Sequence, residues 1–357
     1  MSGTTLQDAH AVQLPISPAL ELSGWDADFM ARGGRSILLS SSAEEYAARR
    51  IGATRRAVET PERIRAYVAA LREHAQSDLL VAVDAEPTGV QRLEHLLPEL
   101  PDRDHIESLT DEQLQYVFGD YARVARQLGV SLFLGPVVDH ITGRNTWLAG
   151  RTMGRNLESI ARIGVAYTRA VQREGVLATA KHFPGHSDLE ANPVLEDVSL
   201  HLSRAEVERN LLPFARMVSA GVAAVMVGPV TVRAVDPDAP AATSATLVSL
   251  LRDTLGFTGM IISDDLDAAS TLRGATLGDT AVRSIAAGVE LLLVPGGDAV
   301  AEISEALAGA VAEGRLAADV LHSAAEKVRS VRPEPVPAVT NVAHLVTHHP
   351  PEEMRHP

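Results

Sequence analysis

Charged and imidazole side chains follow the short apolar runs of this chain, close to the points where the runs end. Carboxylates can act as nucleophiles or proton carriers, whereas Arg, Lys and His can hold the hydroxyl groups of a ligand. The residues near these ends are Asp84, Glu86, Arg92, Asp139, His140, Arg151, Lys181, His182, His186, Met226, Asp264 and Asp265. Together they predict a hydrogen-bonding pocket of balanced charge that suits a polyhydroxylated ligand. The charged members could instead join strands through ion pairs, and Asp265 could cap a helix.

The apolar runs alternate with longer stretches of helical periodicity. The runs are Ser36–Ser40, Leu79–Val83, Ser131–Leu134, Leu177–Lys181, Ala223–Val227, Met260–Ser263 and Glu290–Val294. The helical stretches include Asp111–Leu128, Leu157–Glu174, Arg204–Ser219, Ala245–Leu255 and Val300–Val331. Apolar runs separated by helices are typical of parallel strands buried on both faces. Seven or eight such units predict a (β/α)8 TIM-type barrel, in which the chemistry lies at the carboxyl ends of the strands.

Length and composition restrict the class of protein. The 357 residues are compatible with one barrel over residues 1–332 and a Pro-rich tail over 333–357, which we expect to be extended or disordered. A formal net charge of −14 disfavours nucleic acid and anionic membranes as partners. The absence of cysteine excludes disulfides and a thiol nucleophile. With no bilayer-length apolar run and no signal-peptide pattern, the sequence predicts a cytoplasmic protein; it does not indicate an oligomeric state.

Two segments are distinctive: GVLATAKHFPGH at 175–186 and GFTGMIISDDL at 256–266. Four more lie around them in the order VDAEPTGVQRL at 83–93, GPVVD at 135–139, AGRTMG at 149–154 and AAVMVGPV at 223–230. In content, order and spacing these segments closely resemble the bacterial β-N-acetylglucosaminidases of glycoside hydrolase family 3. The resemblance implies a (β/α)8 barrel that removes a β-linked N-acetylglucosamine with retention of configuration.

The resemblance also implies roles for individual residues. Asp264 would be the nucleophile, since a carboxylate below the anomeric carbon can form a covalent glycosyl-enzyme. The sugar-binding residues would be Asp84, Arg92, Arg151, Lys181, His182 and Met226. Neither a metal nor an organic cofactor is needed for this chemistry, and the sequence has no metal-ligand or nucleotide-binding motif.

The sequence departs from the family pattern after the KHFPGH segment. Members of the family continue with a loop that contains Asp-Ser-His, in which the aspartate orients the histidine that serves as general acid and base. Here residues 187–200 read SDLEANPVLEDVSL, with no histidine. The usual Gly-Gly-Arg is Pro87-Thr88-Gly89, and a usual histidine is Pro229. Residues that could replace the lost acid/base are Asp188, Glu190, Glu196, Asp197 and, with less support, His186.

Three functions are compatible with this departure. A loop carboxyl could replace the histidine, so that the protein remains a retaining β-glycosaminidase. Alternatively, the covalent intermediate could pass the sugar to an acceptor other than water, as in a transglycosylase or phosphorylase of a specialised biosynthetic pathway. In the third case the barrel is a catalytically silent sugar-binding protein.

Overall fold

The computed structural model describes residues 3–331, so the predicted Pro-rich tail lies outside the described residues. Eight parallel strands form the main sheet, and two short strands, β6 and β8, pair separately. The strands are β1 (Gln13–Ser17), β2 (Ser36–Leu39), β3 (Leu80–Asp84), β4 (Leu132–Leu134), β5 (Leu177–Phe183), β6 (Ser199–Leu200), β7 (Ala224–Val227), β8 (Thr231–Val232), β9 (Met260–Ser263) and β10 (Leu292–Val294). The order in the main sheet is β10-β1-β2-β3-β4-β5-β7-β9.

A short contact between the two ends of this sheet closes it. The residue before β10 forms a parallel bridge to β9 at Ile262↔Leu291, and the Ser263 amide donates to the Leu291 carbonyl at 2.9 Å. The predicted (β/α)8 barrel is therefore confirmed. One barrel strand was not predicted, namely β1, which pairs in register with β10 at Pro15↔Val294. Its sequence QLPIS mixes polar residues with a proline, so it lacks the apolar run that marks the other strands.

Helices cover the outside of the barrel. They are α1 (Gly3–Ala11), α2 (Gly24–Ala31), α3 (Ala43–Ala48), α4 (Ala53–Val58), α5 (Pro61–His74), α6 (Arg103–Ser108), α7 (Asp111–Gln127), α8 (Leu157–Arg173), α9 (Arg204–Asn210), α10 (Leu212–Ser219), α11 (Ala245–Ser249), α12 (Ala269–Leu272), α13 (Leu277–Ala287), α14 (Asp298–Ala312) and α15 (Ala318–Ser330). Two stretches predicted as single helices are divided. Pro213 lies in the first turn of α10, and Gly314, with a φ of 72°, separates α14 from α15.

Alternation along the strands separates two apolar cores. Leu38 of β2 packs inside the barrel with Met226 and Ile262, whereas its neighbours Ile37 and Leu39 pack outward in the larger core shared with the helices. This period of two is what a strand buried on both faces requires. The inner cluster also includes Val328 of α15, whose carbonyl accepts a 3.0 Å hydrogen bond from Arg35.

Candidate active site

A cavity of about 550 Å³ is lined by polar residues at the carboxyl ends of the strands. Six residues predicted as sugar-binding or nucleophilic line it: Asp84, Arg151, Lys181, His182, Met226 and Asp264. Asp84 is the last residue of β3, Asp264 directly follows β9, and Lys181 lies near the end of β5. The volume is within the range of sites that enclose small ligands. The order of the strands in the barrel thus brings residues that are distant in the chain to one cavity.

Three buried charged residues, Asp84, Lys181 and Arg151, form one wall of this cavity, and they pair with a fourth, Glu86, which does not line it. The Lys181 ammonium lies 2.7 Å from the Glu86 carboxylate and 3.1 Å from that of Asp84. Arg151 binds Glu86 through two nitrogens, at 2.6 and 2.9 Å. Two cations thus offset two carboxylates. Burial opposes ionisation of Glu86, but Arg151 and Lys181 outweigh it and hold the pKa of that carboxyl well below its usual range.

Aromatic rings surround Arg151 and were not predicted as part of the site. The guanidinium lies 5.8 Å from the ring centre of Tyr46 and 5.5 Å from that of Trp147, and its Nη2 is 3.2 Å from the Tyr46 hydroxyl. Both rings line the cavity. Trp147 also lies against His182, with ring centres 4.6 Å apart. Such rings offer flat apolar faces beside the polar groups, and no short motif in the sequence marks them.

A second network is centred on Asp139, which is fully buried. One carboxylate oxygen accepts from the backbone amide of His182 at 2.9 Å and from its Nδ1 at 2.8 Å. The other accepts from the backbone amide of His186 at 2.7 Å and lies 3.1 Å from its Nδ1. Burial opposes ionisation of Asp139, but the two histidines hold the pKa of this carboxyl well below its usual range.

These three side chains bring potential metal ligands within 4.8 Å of one another, although no spacing motif indicated it. Both oxygens of Asp139 already accept two hydrogen bonds each, and Nδ1 of both rings is directed at that carboxylate. The arrangement therefore functions as a hydrogen-bonded support. It fixes the His182 ring in the wall of the cavity.

Asp264 directly follows β9, lines the cavity, and has one carboxylate oxygen without a hydrogen-bond partner among the described residues. Its Oδ1 accepts from the Asp265 amide at 2.8 Å, whereas Oδ2 is buried and has no hydrogen-bond partner within residues 3–331. Its backbone amide donates to the Val227 carbonyl at 3.0 Å, which fixes its position against β7. A fixed carboxylate with one free oxygen at a cavity can act as a nucleophile.

Arg92 does not line the cavity, although the sequence predicted it as a ligand-binding residue. Its guanidinium is buried and binds both oxygens of Glu59, at 2.5 and 2.8 Å. Its Nε donates to the Ser40 carbonyl at 2.6 Å, at the end of β2. Ser40 itself lines the cavity. Arg92 therefore contacts a residue of the cavity wall, Ser40, without lining the cavity itself.

Comparisons with known proteins identify the family of this chain. Residues 42–331 match the glycosyl hydrolase family 3 N terminal domain. This chain belongs to glycosyl hydrolase family 3. It is 33% identical to a beta-hexosaminidase of Pseudomonas aeruginosa strain LESB58 over 255 residues, which is 70% of this chain and 75% of that protein. It is 32% identical to a beta-hexosaminidase of Chromobacterium violaceum over 251 residues, 65% of this chain and 68% of that protein.

Solved structures give the same family. A family 3 beta-N-acetylglucosaminidase from Paenibacillus sp. str. FPU-7 superposes with a TM-score of 0.84 at 25% identity, covering 95% of this chain and 64% of that one. The chain thus spans less than two thirds of that protein. A beta-N-acetylhexosaminidase from Beutenbergia cavernae DSM 12333 gives a TM-score of 0.77 at 25% identity, covering 92% of this chain and 98% of the other. The family predicted from the sequence is confirmed.

The altered loop of this family 3 chain contributes no carboxyl to the cavity. Asp188, Glu190, Glu196 and Asp197 are exposed, and none is among the lining residues. Asp197 lies 3.6 Å from Arg273. The fifth predicted replacement, His186, is fully buried beside Asp139 and also does not line the cavity. The loop residues that do line it are Asn192, Val194 and Leu195.

The family arginine that is absent at position 89 leaves no empty space. A Cβ at Gly89 would lie 2.1 Å from Oε2 of Glu86 and 3.1 Å from Cγ of Arg151. The Glu86–Arg151 pair therefore fills the region that a side chain at this position would enter. Within the described residues, no helix is long and apolar enough to cross a membrane.

Proposed function

We propose that this chain is a retaining β-glycosaminidase that acts on a β-linked N-acetylglucosamine or a related amino sugar. The observation that carries the proposal is Asp264 at the cavity, whose Oδ2 has no hydrogen-bond partner among the described residues and lies 3.8 Å from Nε2 of His182. In such chemistry the carboxylate attacks the anomeric carbon and the leaving oxygen departs. Water then releases the sugar from the covalent intermediate, with net retention of configuration.

The rest of the cavity supports binding of a hydroxylated ring. Asp84, Lys181 and Arg151 offer acceptors and donors, and their charges balance when the buried Glu86 is included, so a neutral polar ligand can exchange hydrogen bonds with them without leaving a buried charge unpaired. Met226 and Trp147 add apolar surface to the same cavity. Arg92 acts in this proposal by holding Ser40, which lines the cavity.

Turnover of aryl β-N-acetylglucosaminides tests the proposal. We expect the unaltered protein to release an activated phenol and to form a product of retained configuration, observed by NMR. Asp264→Ala should lower kcat by on the order of 10⁴-fold or more, because the covalent path is lost. Added azide should then give the α-glycosyl azide, since the small anion enters where the carboxylate stood.

Two outcomes would replace the proposed hydrolase with another function. Product formation that requires a sugar or phosphate acceptor would make the chain a transglycosylase or phosphorylase. Binding of N-acetylglucosamine without turnover of any aryl glycoside would make it a sugar-binding protein. Full activity of Asp264→Ala would remove Asp264 from the mechanism. Asp253→Ala, a change at an exposed acid that does not line the cavity, is the matched control.

A further inference from the structure

We infer that Asp265, rather than a residue of the altered loop, is the general acid and base of this site. The inference rests on the proposed function and adds the group that was missing from it. It concerns the residue directly after the nucleophile, which the sequence placed at the rim of the pocket or as a helix cap, without a catalytic role. The structure does not support that role, because Ala268 is the N-cap of α12, the helix that follows.

Asp265 offers the only unengaged carboxyl besides Asp264 among the described residues that line the cavity. Three carboxyls line it: Asp84, Asp264 and Asp265. That of Asp84 binds Lys181 at 3.1 Å. Within residues 3–331 the Asp265 carboxyl accepts no hydrogen bond and forms no ion pair, although its backbone amide donates to Oδ1 of Asp264. A carboxyl without a partner, next to a nucleophile, is free to exchange a proton with a ligand.

The segment after Asp265 packs against the altered loop. The amide of Ala269 donates to the Val194 carbonyl at 3.1 Å, and the amide of Ser270 donates to the Pro193 carbonyl at 3.1 Å. Val194 lines the cavity together with Asp265. The carboxyl therefore comes from the wall that adjoins the loop, and this loop is where the family pattern would place an acid/base histidine.

The charges around Asp265 favour a protonated carboxyl. Burial, then the neighbouring Asp264, Asp267 and Asp84, raise the pKa of Asp265 well above its usual range, and Lys181 opposes them. Carboxyls that share a site cannot all ionise, so the proton stays on the one that lacks a cation or an amide donor. Asp265 can therefore donate a proton where Asp264 supplies a charge.

The two half-reactions then balance. In the first, Asp264 Oδ2 bonds to the anomeric carbon, the bond to the leaving oxygen breaks, and that oxygen takes the proton of Asp265. In the second, ionised Asp265 takes a proton from water while the resulting hydroxide bonds to the anomeric carbon and the Asp264 ester bond breaks. Asp265 ends protonated, as it began.

Asp265→Asn tests this inference through its dependence on the leaving group. For a dinitrophenyl β-N-acetylglucosaminide, which needs no proton, we expect kcat/KM to change less than about tenfold. For a phenyl or alkyl glycoside we expect a loss of about 10²- to 10⁴-fold. The unaltered protein should lose activity as the pH rises, because it works only while Asp265 is protonated. This loss should be absent in Asp265→Asn. In Asp265→Asn, added azide should raise the turnover of the dinitrophenyl substrate and give the β-glycosyl azide. This is the opposite anomer to the azide product expected from Asp264→Ala.

Matched variants decide between the candidate acids. Asp253→Asn changes an exposed acid that does not line the cavity, and Glu190→Gln tests the altered loop. Both should keep the leaving-group dependence of the unaltered protein. An equal loss on all substrates by Asp265→Asn, or no loss, would overturn the inference, as would a loss selective for poor leaving groups in Glu190→Gln. Each of these contradicting results would leave Asp264 as the nucleophile of the proposed function. If the unaltered protein hydrolyses no substrate, the proposed function itself is overturned.

Discussion

Nε2 of His182 lies 3.8 Å from Oδ2 of Asp264, while Nδ1 of the same ring is 2.8 Å from Asp139. Burial lowers the pKa of His182, against the opposing effect of Asp139. We infer a neutral ring whose Nδ1–H donates to Asp139, which leaves the lone pair of Nε2 toward Asp264. The ring is too far from Asp264 for a hydrogen bond, so in the proposed function we expect it to position a ligand hydroxyl without neutralising the carboxylate.

Asp139→Asn should release this orientation. The amide cannot accept from both histidines as the carboxylate does, so the ring loses its fixed tautomer. By comparison with an aspartate that orients a catalytic histidine, we expect kcat to fall by about 10²- to 10⁴-fold. The measurement is turnover of an activated aryl glycoside, with thermal unfolding to separate lost orientation from lost folding. Asp188→Asn, on the exposed loop, is the control; activity of Asp139→Asn equal to that of this control would contradict the role.

Lys181→Met should impair both stability and sugar binding. It leaves the buried Asp84 without its cation, which costs about 3 kcal/mol of the free energy of unfolding. Binding of N-acetylglucosamine, measured by calorimetry, should weaken at least tenfold. The double variant Lys181→Met/Asp84→Asn removes the unpaired charge, so it should recover stability but not affinity. Unchanged affinity in both variants would show that the ligand does not contact this wall.

Glu59→Gln should change the acid stability of the barrel. Burial raises the pKa of Glu59, but the nearby His95, at 3.4 Å, and the hydrogen-bonded Arg92 outweigh it and lower the pKa from 4.5 to about 2. The ionised group therefore contributes stability that is fully present above pH 4.5 and is lost as the pH falls toward 2. Urea unfolding should show a deficit of about 3 kcal/mol at pH 7. The deficit should shrink below pH 4.5. Glu302→Gln, at an exposed position of α14, should show no such trend.

Gly89→Ala should destabilise the charged wall. Its Cβ would meet Glu86 at 2.1 Å, and Glu86 is held by both Arg151 and Lys181. We expect a loss of about 1–3 kcal/mol in the free energy of unfolding. Gly119→Ala is the matched change, because it lies inside α7 with no atom within 4 Å of the new Cβ. There we expect a gain of about 0.5–1 kcal/mol. Equal effects at both sites would contradict this interpretation of position 89.

The sequence by itself determined the barrel and the region of the site. Apolar runs and helical periodicity depend on local burial, so they identified seven of the eight barrel strands; only β1, with its proline, was missed. Because parallel strands end at the same rim, reading the residue after each run was enough to bring Asp84, Lys181 and Asp264 to one cavity. The KHFPGH and SDDL segments, with four others in the same order, indicated the family by their resemblance to it, and the family model confirms it.

Only the tertiary structure decided which polar groups are engaged and which are free. Arg92 lies behind the wall because it meets Glu59, 33 positions away, and Arg151 is neutralised by Glu86, 65 positions away. Such pairs depend on side-chain directions in the packed barrel, which no local pattern records. The exposure of the loop carboxyls and the lack of a partner for the Asp265 carboxyl likewise depend on side-chain directions in the packed barrel. A charge in a folded protein acts according to its neighbours and its burial, and both are set by contacts between distant parts of the chain.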